Sequence, residues 1–176
     1  MPIAAEFSRP LQTDAIPREG IALYLEASPA ECSALATRFD LVEVVRLRGD
    51  VRVDVLDESG TFHVAGRLTA DVVQACVVTL EPVAAQVEAE FDRLFSRAVP
   101  AETAAEIEID PEAAMPEPLL GDRLDLGEVM AEELSLALDP YPRSPDADRH
   151  LAQFGADPMA AETRSPFVAL GSLRRH

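Results

Sequence analysis

The feature that most constrains this chain is a two-residue alternation that recurs three times between residues 41 and 96. In the first pass Leu41, Val45, Leu47, Val51, Val53 and Val55 occupy odd positions, and from Arg46 onward Arg48, Asp50, Arg52 and Asp54 alternate with them. A helix would spread such a pattern around its circumference, whereas a strand sends successive side chains to opposite faces. The spacing therefore predicts a long strand with one buried and one wet face, bent at Gly49. Asp57-Glu58-Ser59-Gly60 has turn chemistry. The return run puts Phe62, Val64, Gly66, Leu68, Ala70 and Val72 on even positions, against Thr61, His63, Arg67, Thr69 and Asp71. A second turn spans Cys76 to Pro82, and beyond it Val83, Ala85, Val87, Ala89, Phe91, Arg93 and Phe95 oppose Glu88, Glu90, Asp92 and Ser96. Ala and Glu are good helix formers, so a helix competes for this last run, and the alternation favours the strand.

Flanking segments add helices to this meander. Ser28-Pro29-Ala30-Glu31 is a capping box with Pro at the first helical position, which predicts a helix over 29–39 that buries Cys32, Leu35, Ala36 and Phe39. Asp125-Leu126-Gly127-Glu128 reads as a second box and predicts a helix over 126–138. Its apolar residues include Val129, Met130 and Leu134, while Glu128, Glu132 and Glu133 face water. Short extended segments are expected at Phe7 to Leu11 and Ile21 to Glu26, a loosely ordered stretch over 143–164, and a short final helix over 165–173. The fold class is α+β: a twisted antiparallel sheet with two or three packed helices, with closure toward a barrel as an option. One domain is expected, built from strands, helix and meander in 1–97, an acidic flexible loop in 98–124, and a helix and tail in 125–176.

Composition narrows the function classes. The net charge of −17 over 176 residues disfavours coating a phosphate backbone and is compatible with basic protein partners. Arg46, Arg48, Arg52 and Arg67 would share the polar face of the sheet as a local positive patch, or pair across strands with Asp50, Asp54 and Asp71. No Gly-rich phosphate loop and no nucleophile motif is present. Glu128 and Glu132, one helical turn apart, read as a solvated face rather than a cation site. Cys32 belongs to the core, Cys76 reads as a structural, weakly reactive thiol, and two distant cysteines suit a reduced compartment. With no signal-peptide pattern and no apolar run near the roughly 18 residues of a membrane span, a cytoplasmic protein is expected.

From Cys76 onward the chain resembles the YceD family. The residues that carry the resemblance are Cys76, Leu80 and Pro82 in Cys-Val-Val-Thr-Leu-Glu-Pro, then Phe91 and Phe95 in Phe-Asp-Arg-Leu-Phe. They continue with Asp125, Leu126 and Glu128 ahead of Leu134, Leu136, Leu138 and Pro140, and with a closing Ser165-Pro166-Phe167. The family pattern has a second cysteine where this chain has Thr79. One remaining Cys and the scattered His63, His150 and His176 fall short of the roughly four ligands of a structural zinc site, so no metal or other cofactor is expected. The resemblance implies a role in accumulation of large-subunit ribosomal RNA and implies no reaction. The expected partner is a basic protein of the large-subunit assembly or RNA-processing machinery, held by the acidic loop of 100–118 with Ile107 and Ile109 as apolar anchors. Two alternatives remain open: a metal-dependent hydrolase with clustered carboxylates, and an accessory protein unconnected to ribosomes.

Overall fold

Three long strands dominate the computed structural model, which describes residues 5–57, 60–98, 115–119 and 121–153. The elements run β1 (Pro10–Gln12), a 3-10 turn (Thr13–Ala15), β2 (Ile21–Glu26), α1 (Pro29–Arg38), β3 (Glu43–Val55), β4 (Thr61–Ala75) and β5 (Pro82–Ser96). They continue with β6 (Glu117–Pro118), β7 (Arg123–Asp125), α2 (Leu126–Ala137) and α3 (Ala147–Gln153). The main sheet has the order β2-β3-β4-β5-β6, and β1 pairs with β7 in a separate two-stranded sheet. The sheet is open, with β2 and β6 at its edges, so the barrel option is not realised. β2, β3 and β4 pair antiparallel, while the two-residue β6 adds to the end of β5 in parallel. Contacts divide the chain into one unit of 1–73 with 84–139 and a second of 74–83 with 140–176.

In the first unit the alternation works as the sequence suggests, with one shift. Leu47, Val51 and Val53 of β3 and Phe62, Val64, Leu68, Ala70 and Val72 of β4 are buried. The bend, however, falls at Val45 rather than Gly49. A register shift between Val44 and Arg46 turns Val44 inward and leaves Val45 57% exposed. An extra residue on one strand flips the face of everything before it, which a simple odd–even count cannot register. Gly49 has a different task. A Cβ there would lie 2.9 Å from the Met130 Cε of α2 and 2.6 Å from the Arg67 carbonyl, so its bare backbone admits the helix against the sheet. Gly66 similarly makes room for the Phe91 ring, whose Cζ would lie 2.5 Å from an added Cβ.

The helices follow from their caps. Ser28 and Glu31 form the reciprocal box at the start of α1, which buries Cys32, Leu35 and Ala36. α2 begins at Asp125, whose carboxylate accepts from the amides of Gly127 and Glu128. That carboxylate also accepts from the Arg9 amide at 2.7 Å and from the Ser8 hydroxyl. The first strand is accordingly shorter than the 7–11 segment expected: Phe7 is core, and Ser8 and Arg9 are tied to Asp125 before pairing starts at Pro10. The α2 glutamates do not simply face water. Glu128 takes a bidentate Arg38 at 2.6 and 2.9 Å, and Glu132 and Glu133 meet Arg93. In the second unit α3 lies inside the stretch read as loosely ordered. The final helix expected over 165–173, and most of the acidic loop, lie outside the described residues.

Candidate functional site

The turn between β4 and β5 is built around a sulfur atom. Cys76 is fully buried, and its Sγ accepts from the amides of Val78 and Thr79, each at 3.4 Å, and from the amide of Ser144 at 3.2 Å. Burial raises the thiol pKa, but the Thr79 hydroxyl and the amides of Ser144, Thr79 and Val78 outweigh it and lower the value to about 6. The Val77 amide donates to the Pro142 carbonyl at 2.9 Å, and the Thr79 and Ser144 hydroxyls lie 3.3 Å apart. Segments 76–81 and 140–147 are thereby clasped to one another. The thiol of Cys32, by contrast, is raised by burial. The Cys76 environment offers one soft donor surrounded by amide hydrogens and two hydroxyls, which does not fit a zinc ligand set.

Leu80 completes this turn in an unusual way. Its φ is +61°, in the left-handed region, and its side chain is 79% exposed. The backbone there is fixed from both sides, since the Leu80 amide donates to the Cys76 carbonyl and the Cys76 amide donates to the Glu81 carbonyl. Val77 and Tyr141 on the same clasp are 49% and 73% exposed.

In the first unit, carboxylates converge on one guanidinium. Arg93 donates to Glu117 through Nε at 2.7 Å and to Glu132 through Nη1 at 2.6 Å, lies 3.7 Å from Glu133, and rests over the Phe95 ring. The hydrogen bond that Arg93 donates to Glu117 is the largest of the influences that raise its pKa. The cluster anchors β6, and the Leu119 amide donates to the Ser96 carbonyl beside it. A shallow cavity of about 200 Å³ runs along the cluster past Leu124 and Val129. These acids surround a cation already in place. Among the described residues no group of three or more His, Cys, Asp or Glu is arranged to hold a metal ion.

The arginines expected on the polar sheet face are placed there by the register. Arg46 sits opposite Asp71, Arg48 opposite Thr69, and Arg67 opposite Asp50. Arg52 is bound to Asp54 of its own strand, and Arg67 to Glu88 of β5 at 2.8 Å. His63 meets Asp92 at 2.8 Å. The face is a lattice of both signs, with Glu88 and Asp92 of β5 set against Arg67 and His63 of β4, and Asp71 of β4 opposite Arg46 of β3.

A family model described as large ribosomal RNA subunit accumulation protein YceD matches residues 64–174, more than half of the chain. The chain belongs to this family. No curated protein and no solved structure matches it. The matched stretch contains both the Cys76 clasp and the Arg93 cluster. Within it, the residues singled out in the sequence divide by task. Phe91, Phe95 and Leu126 are core. Asp125 caps α2, Glu128 ties α2 to α1 through Arg38, and Cys76 organises its turn. Pro82 starts β5. Two large apolar side chains of the pattern are left in solvent, Leu80 at 79% and Leu136 of α2 at 80%, and of the two Leu80 has the left-handed backbone. Ile107, Ile109, Pro166 and Phe167 lie outside the described residues. Sequence reasoning overlooked Arg93 and Ser144. Arg93 carried a signal, as the single charge on the inward face of β5 between Phe91 and Phe95. Ser144 carried none, since its amide reaches the sulfur and its hydroxyl reaches Thr79 from a segment more than sixty residues away.

Proposed function

We propose that the protein is a non-catalytic factor that supports accumulation of large-subunit ribosomal RNA by binding a basic protein of the assembly or RNA-processing machinery. Membership of the large ribosomal RNA subunit accumulation family carries the reading. Charge gives it its form. At −17 the chain repels phosphate at long range and attracts a basic protein, an attraction that speeds encounter and fades with salt. The carboxylate cluster supports the non-catalytic part, because its acids are engaged by Arg93 rather than converging on an open position.

A deletion strain profiled for ribosomal subunits and large-subunit RNA tests this reading. Loss of the protein should lower large-subunit RNA relative to small-subunit RNA, with rescue by the full chain. A variant lacking residues 101–114 asks whether the acidic stretch holds the partner while Glu117 and Pro118 stay in place beside β5. Normal subunit ratios in the deletion strain would remove the ribosomal reading. Full rescue by the shortened chain would keep that reading and reject the acidic stretch as the binding element.

A further inference from the structure

We propose that Leu80, on the clasp it shares with Val77 and Tyr141, is the apolar anchor by which this protein holds its basic protein partner; the proposal rests on the functional reading above. The first observation is a mismatch between residue and place. L-residues rarely adopt φ near +61°, glycine and asparagine do so readily, and a leucine there gives up backbone comfort. It gains no burial in return, because 79% of Leu80 faces solvent. A strained, exposed apolar side chain on an otherwise fixed backbone points to a contact made outside the chain.

The second observation is that the surroundings hold this side chain in place. The Cys76 sulfur with its three amide donors, the Cys76–Glu81 and Leu80–Cys76 backbone bonds, and the Val77–Pro142 bond fix the turn before any partner arrives. A preorganised anchor loses little entropy on binding. Val77 and Tyr141, both on this clasp, are exposed as well, at 49% and 73%.

Charge selects the occupant. In the described part of this unit Arg143 is paired with Asp148 and Arg149 with Asp146, whereas Glu81, next to Leu80, bonds only the Thr79 hydroxyl. Among the described residues of this unit the surplus charge is the Glu81 carboxylate next to Leu80, and the chain as a whole carries −17. The surface fits a basic protein that presents an apolar pocket rimmed by Lys or Arg.

The test uses the full chain and a panel of individually purified large-subunit ribosomal proteins as probes, with thermal unfolding measured in parallel. The wild type should bind at least one member, and Leu80→Gly should weaken that binding at least about tenfold, as truncating an interface anchor does. Leu80→Gly should at the same time raise the melting temperature, because glycine suits the backbone, so weaker binding cannot be laid to unfolding. Leu80→Met, which keeps an apolar side chain, should retain binding. In the deletion strain, Leu80→Gly should fail to restore large-subunit RNA where the wild type succeeds. Unchanged binding by Leu80→Gly, or full rescue by it, would overturn the anchor and leave the ribosomal role standing. Absence of binding to every panel member would overturn the assignment of the partner. A wild type that sediments as a dimer and a Leu80→Gly variant that sediments as a monomer would overturn it in favour of a second copy. Normal large-subunit RNA without the protein would overturn the functional reading itself.

Discussion

Replacing Arg93 with Met removes one cation from three carboxylates while leaving most of the aliphatic stem. Arg93 is 17% exposed and Glu133 16%, whereas Glu117 and Glu132 are 43% exposed. Breaking a buried ion pair from one side costs about 3–5 kcal/mol, and an exposed pair contributes at most about 1 kcal/mol. With one buried partner and two half-exposed ones, the expected loss is about 2–4 kcal/mol, which for a chain of this size lowers the melting temperature by about 4–16 °C. The contact between the guanidinium and the Phe95 ring disappears as well.

Urea unfolding of wild type and Arg93→Met measures the loss. Adding Glu132→Gln and Glu133→Gln to the Met variant should recover part of it, since neutral amides no longer repel one another. Amide exchange gives a local readout: protection of the Leu119 amide, which donates to Ser96 at 2.9 Å, should fall much further than protection in β3. A loss below about 0.5 kcal/mol, or a Leu119 amide as protected as in the wild type, would show that Arg93 does not anchor β6.

Gly66→Ala should destabilise by about 2–4 kcal/mol, because the new Cβ would lie 2.5 Å from both the Asp50 carbonyl and the Phe91 ring; denaturant titration measures it, and a neutral effect would mean the strand pair yields freely. Asp125→Ala removes a helix cap and the acceptor for Arg9, a loss of about 2–4 kcal/mol that should exceed that of Asp125→Asn in the same assay. Cys76 should make stability rise with pH. Between about 6 and its ordinary value of 9.0 the native sulfur is a thiolate and the unfolded one a thiol, so the unfolded state binds more protons. That stability is complete above 9.0 and is lost as pH falls through about 6, so Cys76→Ser should flatten this part of the urea midpoint profile, and an identical slope would refute the assignment. Finally, filter binding at about 0.15 M salt should show no retention of large-subunit RNA fragments by the chain alone, and micromolar retention would reverse the partner class.

What the sequence revealed, it revealed through periodicity and caps. The buried faces of β3 beyond the bulge, of β4, and of β5 at Val87, Phe91 and Phe95 were readable because a strand maps sequence parity directly onto burial. Ser28 and Asp125 marked where α1 and α2 begin, because cap chemistry is local. The bulge at Val45 was not readable, since nothing in Glu-Val-Val-Arg says which valine loses its place in the ladder. The roles of Glu128, Glu132 and Glu133 were misread for a related reason: their partners, Arg38 and Arg93, come from distant elements. Leu80 was legible as part of a motif, but its left-handed backbone and its exposure became visible only in the structure.

The arginines explain why the ribosomal reading leads to a protein partner rather than to RNA. All basic residues of the chain are arginines, the side chain best suited to bidentate carboxylate contacts. Arg9, Arg38, Arg52, Arg67, Arg93, Arg97, Arg143 and Arg149 are each bound to a carboxylate of the chain itself. An RNA-binding face needs cations that face outward and displace counterions from phosphates. Here these eight cations are held by the protein's own acids, and the chain's surplus charge is negative. Arg46 and Arg48 sit on the open sheet face with Asp50 following Arg48 on the same strand and Asp71 across from Arg46, so even there the field is mixed. Under the function proposed above, such a molecule meets its basic protein partner as a counter-ion. Its affinity must then come from a short-range apolar contact, because electrostatic steering accelerates encounter without by itself holding a complex. On the Cys76 clasp, the apolar side chain most exposed for such a contact is Leu80, at 79%.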